Sequence, residues 1–149
     1  VTYQNLIKLD LSNNQIFELE ENSFNLSNLY TLNLKNNRIK NFKSAEIFYE
    51  LISLKSLDLS GNLIQSIEKD FLSKLINLEH LYLTSNQISE IHPLAFQNLR
   101  KIYRIYLDNN KFIVLNHQFN FPALNSVQIA IPIIGLNAKI LYSLLSVKN

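Results

Sequence analysis

No cysteine, methionine or tryptophan occurs in this sequence, and glycine and proline are down to two and three residues. Without cysteine there are no disulfide bonds, no thiolate metal ligands and no thiol nucleophile, and redox chemistry says nothing about compartment. The scarcity of glycine leaves no phosphate-cradling loop and no G-x-S-x-G elbow. His80, His92 and His117 do not form an H-E-x-x-H pair. Long hydrophobic runs are missing too. The most apolar window, 130–147, is broken by Pro132, Gly135, Asn137 and Lys139, so membrane insertion by this segment is not expected. A charge excess of one sign is also absent, with a formal net charge of +2 over 14 basic and 12 acidic residues. The densest basic stretch is Lys35, Arg38, Lys40 and Lys43, of which only Lys35 falls at a strand of the repeat. That stretch reads as a solvated edge, and nucleic acid is not expected as a partner.

What the chain does contain is repetition. The pattern L-x-x-L-x-L-x-x-N-x-I-x-x-[IL/F] starts at Leu6, Leu29, Leu54, Leu78 and Ile102, with a degenerate sixth copy at Leu124, giving spacings of 23, 25, 24, 24 and 22 residues. Between its second and third apolar positions each unit alternates with period two over a stretch too short for a helix, so each unit is one short strand. The next strand runs on the same pattern about two dozen residues later. Chain direction is therefore preserved, and neighbours pair in parallel through a return crossover. The predicted fold is an α/β solenoid, a right-handed coil with a concave parallel sheet and an irregular convex arc, forming a single domain over 1–149.

Two further columns repeat with the strands. Asn14, Asn37, Asn62, Asn86 and Asn110 follow them where the chain turns away and its backbone loses ladder partners. A buried amide both donates and accepts, so these residues predict a ladder of side chains satisfying the turns. On the return arc, Ile16/Leu19, Ile39/Phe42, Ile64/Ile67, Ile88/Ile91 and Phe112/Leu115 point inward, followed by a phenylalanine spine of Phe24, Phe48, Phe71, Phe96 and Phe119. One such unit cannot bury its apolar side chains alone, so stability comes from stacking, and exposed ends need covers. Leu136, Ile140, Leu141, Leu144 and Leu145 predict a C-terminal capping helix within 132–149. Residues 1–5 look like the tail of a preceding repeat, as in a fragment of a longer array.

These motifs resemble the "typical" class of leucine-rich repeat, with Leu54 to Leu75 and Leu78 to Leu99 the best copies, and the resemblance covers about residues 3–131. Similar repeats occur in Toll-type receptor ectodomains, Slit-like guidance proteins and small leucine-rich proteoglycans. The resemblance implies an extracellular or cell-surface protein with a protein ligand. The sequence departs from those families in lacking cysteine-rich flanking caps, which keeps a cytoplasmic location open. One glycosylation sequon, Asn25-Leu26-Ser27, lies on the predicted outer arc.

The strand positions between the leucines are free of core duty, and function is sought there. They read Ile7, Lys8, Asp10; Tyr30, Thr31, Asn33; Lys55, Ser56, Asp58; Glu79, His80, Tyr82; Tyr103, Arg104, Tyr106; and Asn125, Ser126, Gln128. Tyr82, Tyr106, Tyr103, His80, Arg104 and Asp108, with Asp58 and Tyr30, form the candidate ligand-binding set, because rigid Tyr and Arg side chains dominate protein interfaces. Tyrosine is also a good strand residue, which explains any single one without a ligand. No convergent acid, base, nucleophile or metal-ligand set appears, so no catalytic residue, metal or cofactor is expected. Three classes remain: a recognition module of a secreted or cell-surface receptor-like protein, an intracellular adaptor, and a non-catalytic subunit of an enzyme complex.

Overall fold

The computed structural model describes residues 5–111 and, as backbone, 128–130. Eight short strands succeed one another: β1 (Lys8–Asp10), β2 (Thr31–Asn33), β3 (Ser56–Asp58), β4 (Ser66–Ile67), β5 (His80–Tyr82), β6 (Glu90–Ile91), β7 (Arg104–Tyr106) and β8 (Gln128–Ala130). Six form one parallel sheet in the order β1-β2-β3-β5-β7-β8, and β4 pairs with β6 in the return arc. The register sets Leu9, Leu32, Leu57, Leu81 and Ile105 side by side. The last four of these are fully buried, while the residues flanking them in each strand stay half exposed. This is the period-two alternation of the sequence, with one face in the core and one in solvent. It produces the concave sheet of a solenoid.

At the end of each strand the amide ladder forms as the spacing predicts. Asn62 donates through Nδ2 to the carbonyls of Leu34 (3.0 Å) and Leu59 (3.0 Å), and its Oδ1 accepts from the Ile39 N–H (3.1 Å). Asn86 joins Leu59, Leu83 and the Ile64 N–H in the same way, as Asn37 and Asn110 do in their own coils. Each side chain therefore ties its own turn to the preceding coil. Asn14 is the exception: exposed, it bonds, among the described residues, only the Leu11 and Ser12 carbonyls of its own turn. Leu6, Leu9, Leu11 and Ile16 around it are only partly buried.

The residue before each ladder asparagine has a duty of its own. Asn13, Asn36, Gly61, Ser85 and Asn109 all have φ between 54° and 67°, the left-handed conformation that takes the chain off the strand. Asparagine tolerates it and glycine adopts it freely, which accounts for the repeated Asn-Asn pair. At Gly61 a Cβ would lie 2.2 Å from Oδ1 of Asn36, so a larger residue there would require the Asn36 side chain to turn aside.

The convex side is more ordered than the expected irregular arc. Besides the β4/β6 pair it holds a 3₁₀ turn, Ala45–Phe48, capped by Ser44 Oγ, which accepts from the Glu46 N–H. The phenylalanine spine is present but does not run one ring per coil. Phe24 stacks on Phe48 (centroids 6.4 Å) and Phe48 meets Phe71 edge-on (5.6 Å), while Phe42 stacks on Phe71 at 4.0 Å and contacts Phe48 at 6.0 Å. Phe42 and Phe48 both belong to the unit between Leu29 and Leu54, where Phe42 fills the inward place held by Leu19, Ile67 and Ile91 in the other units.

The sixth unit pairs two residues later than the Leu124 register predicts. Ile129 lies opposite Ile105 and Ala130 opposite Tyr106, so the 24-residue step is preserved. In the sequence Val127-Gln128-Ile129-Ala130-Ile131 a slip of two keeps every side chain on its face, and alternation cannot distinguish the two registers. Phe112, Leu115, Phe119, Leu124 and the capping helix over 132–149 lie outside the described residues.

Replacing Asn62 or Asn86 by leucine leaves buried turn groups unpaired, and urea unfolding should show a loss of roughly 1–3 kcal/mol for each, against little change for Asn14→Leu. Ser85→Gly relieves a left-handed serine and should gain about 0.5–1 kcal/mol in the same measurement.

Candidate functional site

Parallel pairing in strict register turns the concave face into columns. One carries Lys8, Thr31, Ser56, His80 and Arg104; the next carries Asp10, Asn33, Asp58, Tyr82 and Tyr106. A third runs along the strand entrances through Ile7, Tyr30, Lys55, Glu79 and Tyr103, linked by hydrogen bonds such as Glu79 N–H to Lys55 O (2.8 Å) and Tyr103 N–H to Glu79 O (2.8 Å). Adjacent members of a column are one strand spacing apart, about 4.8 Å. Large side chains in a column therefore touch.

The column of Asp10 and Tyr106 changes character along its length. In the first three coils its side chain is taken up by the backbone: Asp10, Asn33 and Asp58 each accept from the N–H two residues on, at 2.9, 3.1 and 2.8 Å. This local turn is a common use of Asp and Asn. In the next two coils the place belongs to tyrosine, which makes no such turn. Tyr82 and Tyr106 stack with centroids 4.7 Å apart and planes inclined by only 3°.

Other predicted residues gather around that pair. The His80 ring lies 6.4 Å from Tyr82 and meets Tyr103 edge-on at 6.0 Å. Its Nδ1 is buried with no hydrogen-bond partner among the described residues. Arg104 packs over the Tyr103 ring at 5.0 Å and hydrogen-bonds Tyr106, which holds its guanidinium above its ordinary pKa. Burial, then the neighbouring Tyr106 and Asp58, push the Tyr82 hydroxyl above the usual tyrosine range, and Arg104 opposes them. Asp108 stands where the chain leaves β7, with its backbone carbonyl accepting from the Ser85 N–H (2.8 Å).

Two of the candidates stand apart from this arrangement. Asp58 is adjacent to Tyr82 in register, but its carboxylate serves its own turn. Tyr30 lies in the second coil, 47% exposed, and reaches the cluster only through Lys55, whose Nζ sits 5.7 Å over the Tyr30 ring and pairs with Glu79 at 3.2 Å. The candidate set omits Lys55 and Glu79, although their place in the Tyr30 to Tyr103 column was readable from the repeat spacing. Among the described residues no group of three His, Cys, Asp or Glu could hold a metal ion, and no helix is long and apolar enough to cross a membrane.

The leucine rich repeat family model matches residues 4–63 and 52–112. The chain belongs to the leucine-rich repeat family. Among solved structures, this leucine-rich repeat array is similar to the TLR13–ssRNA13 complex, with TM-score 0.65 and 36% identity over 69% of the chain. It is also similar to the Toll–Spatzle complex of Drosophila, with TM-score 0.54 and 32% identity over 57% of the chain. The chain spans 14% and 11% of the lengths of those two proteins. No curated protein matches it. The expectation that nucleic acid is excluded finds no support here, because one of these neighbours is a complex with ssRNA. Net charge was too coarse a ground for it: mild overall charge does not describe the chemistry of one local surface.

The raised Tyr82 pKa has a checkable sign. Folded Tyr82 stays protonated where the unfolded chain has begun to ionise, so its contribution is complete below about pH 10 and is lost as pH rises through the folded value. Tyr82→Phe should remove one tyrosinate absorbance step from above the ordinary range and lessen the alkaline fall in stability.

Proposed function

We propose that this array is a non-catalytic recognition module of a secreted or cell-surface receptor-like protein, which takes a protein ligand on its concave face around Tyr82 and Tyr106. The observation that carries the reading is the stacked tyrosine pair, held in register by the sheet and bordered by His80, Tyr103 and Arg104. Rigid aromatic and arginine side chains on a fixed scaffold give large contact area with little loss of rotamer freedom. Asp108 and Asp58 would border the contact, and Tyr30 would extend it along the strand entrances. The Toll–Spatzle neighbour, a complex of two proteins by its name, supports a protein ligand and an extracellular setting. A single-stranded nucleic acid on the same tyrosines is the second reading, favoured by the ssRNA in the TLR13 complex.

Two experiments test this. Extracellular fluid from the source organism is passed over the immobilised full chain, its Tyr82→Ala/Tyr106→Ala variant and a Tyr49→Ala control on the arc, with and without nuclease. Hot-spot residues each contribute roughly 2 kcal/mol, so the double variant should lose a nuclease-resistant protein partner that the control keeps. Equal retention by both would sink the assignment. In the second experiment, Asn25, exposed on the arc directly after buried Phe24, should carry a glycan when the protein is secreted from a eukaryotic cell. A glycosidase-sensitive mass shift, absent in Asn25→Gln, is the expected result.

A further inference from the structure

Before each of β2, β3, β5 and β7 the chain makes a tight turn. The N–H groups of Leu29, Leu54, Leu78 and Ile102 donate to the carbonyls of Leu26, Leu51, Leu75 and Leu99 at 3.0, 3.1, 3.0 and 3.3 Å. The first residue at the tip of each turn is Ser27, Ile52, Ile76 and Arg100 in order. A solvated tip favours polar residues such as serine, yet Ile52 and Ile76 are 52% and 44% exposed. The core does not need them, since Leu51, Leu54, Leu75 and Leu78, which close the two turns, are already fully buried. Asn77 Nδ2 donates to the Ile52 carbonyl at 2.7 Å, which ties the two tips together in neighbouring coils. One exposed isoleucine is ordinary, but two in register form an apolar ledge along the strand-entrance edge.

Charges frame this ledge in alternation. On its concave side Lys55, in the coil of Ile52, pairs with Glu79, in the coil of Ile76, at 3.2 Å. On its arc side the order is reversed: Glu46, in the 3₁₀ turn leading to Ile52, pairs with Lys74, just before Ile76, at 3.4 Å. Each lysine also rests over a tyrosine ring, Lys55 on Tyr30 at 5.7 Å and Lys74 on Tyr49 at 5.0 Å, which restrains both cations. We infer that a second copy of this chain docks on the ledge in antiparallel sense, about a twofold axis crossing it between Ile52 and Ile76. Ile52 then meets Ile76 of the second copy, and every charge meets its opposite: Lys55 faces Glu79 and Glu46 faces Lys74. A parallel copy would also oppose unlike charges, but it would set Arg100 against itself, where the antiparallel copy offers Ser27. Exposed ion pairs add little affinity and much orientation, so the isoleucines hold the dimer and the charges set its sense. Two carboxylates match the two cations, which leaves no excess charge to attract a polyanion.

Sedimentation equilibrium of the full chain, from about 1 µM to about 1 mM, should show a reversible monomer–dimer equilibrium. Ile52→Ser/Ile76→Ser, which gives both tips the residue type of Ser27, should weaken it roughly tenfold or more. Phe17→Ser, which removes an exposed ring of the first arc, should leave it unchanged. Lys55→Glu and Glu79→Lys should each be monomeric alone and should dimerise when mixed, because only the mixed pair opposes unlike charges at both concave corners. Such rescue also shows that both variants are folded. Should the double isoleucine variant lose its circular dichroism, the charge-swap pair decides alone. A chain monomeric at every concentration would overturn the proposal and leave the ledge to a different protein. A dimer indifferent to the isoleucine change, a dimer lost in Phe17→Ser, or a mixture without rescue would overturn it as well. The outcome does not depend on the concave face, since partner loss in the Tyr82→Ala/Tyr106→Ala variant is read separately.

Discussion

After the first, each described coil leaves its strand with carbonyl and N–H groups that no neighbouring strand can reach, and an inward-facing amide side chain meets that need. Asn37, Asn62, Asn86 and Asn110 donate both to their own turn and to the turn before it, and accept from the backbone of the preceding arc. An unpaired group of this kind would be costly beneath a packed aliphatic core. The ladder also fixes the phase between coils, because a bond to the preceding turn forms only when the two turns are aligned. Register in the sheet and alignment of the turns are therefore one constraint.

That constraint gives the concave face its chemistry. Strands in phase convert a residue every 24 or so positions into a column with a fixed spacing, and in the column of Asp10 the residue type then decides the outcome. Where it is Asp or Asn, the side chain folds back onto its own turn. Where it is tyrosine, the rings have nothing to do locally and stack on each other. One position of the repeat thus serves the scaffold in three coils and is released from it in two. The same logic separates Tyr30 from the main cluster, since Lys55 and Glu79 occupy the intervening rungs as an ion pair.

The fold was legible because its signals are redundant. Five copies of the leucine pattern, the asparagine after each strand and the phenylalanine on each arc all repeat with one period, and a solenoid is the architecture that satisfies them together. Redundancy weakens in the sixth unit, where the alternation of residues 127–131 fits two registers and the pairing chose the later one. It also fails on the arc, where ring contacts depend on how far each loop bulges. Phe42, read only as an inward residue, joins the spine because it places a ring where Leu19, Ile67 and Ile91 place aliphatic side chains in their own units.

By itself the sequence determined the repeat, the direction of the strands, the buried amides and which residues face away from the core, because each depends only on spacing along the chain and on the polarity of the residue found there. Tertiary structure alone decided that Tyr82 and Tyr106 lie flat on one another and that Asp58 turns toward its own backbone. It also decided that the first asparagine of each Asn-Asn pair takes a left-handed conformation. Those outcomes depend on distances between coils and on which of two available partners a side chain meets first, and neither is written in a periodicity.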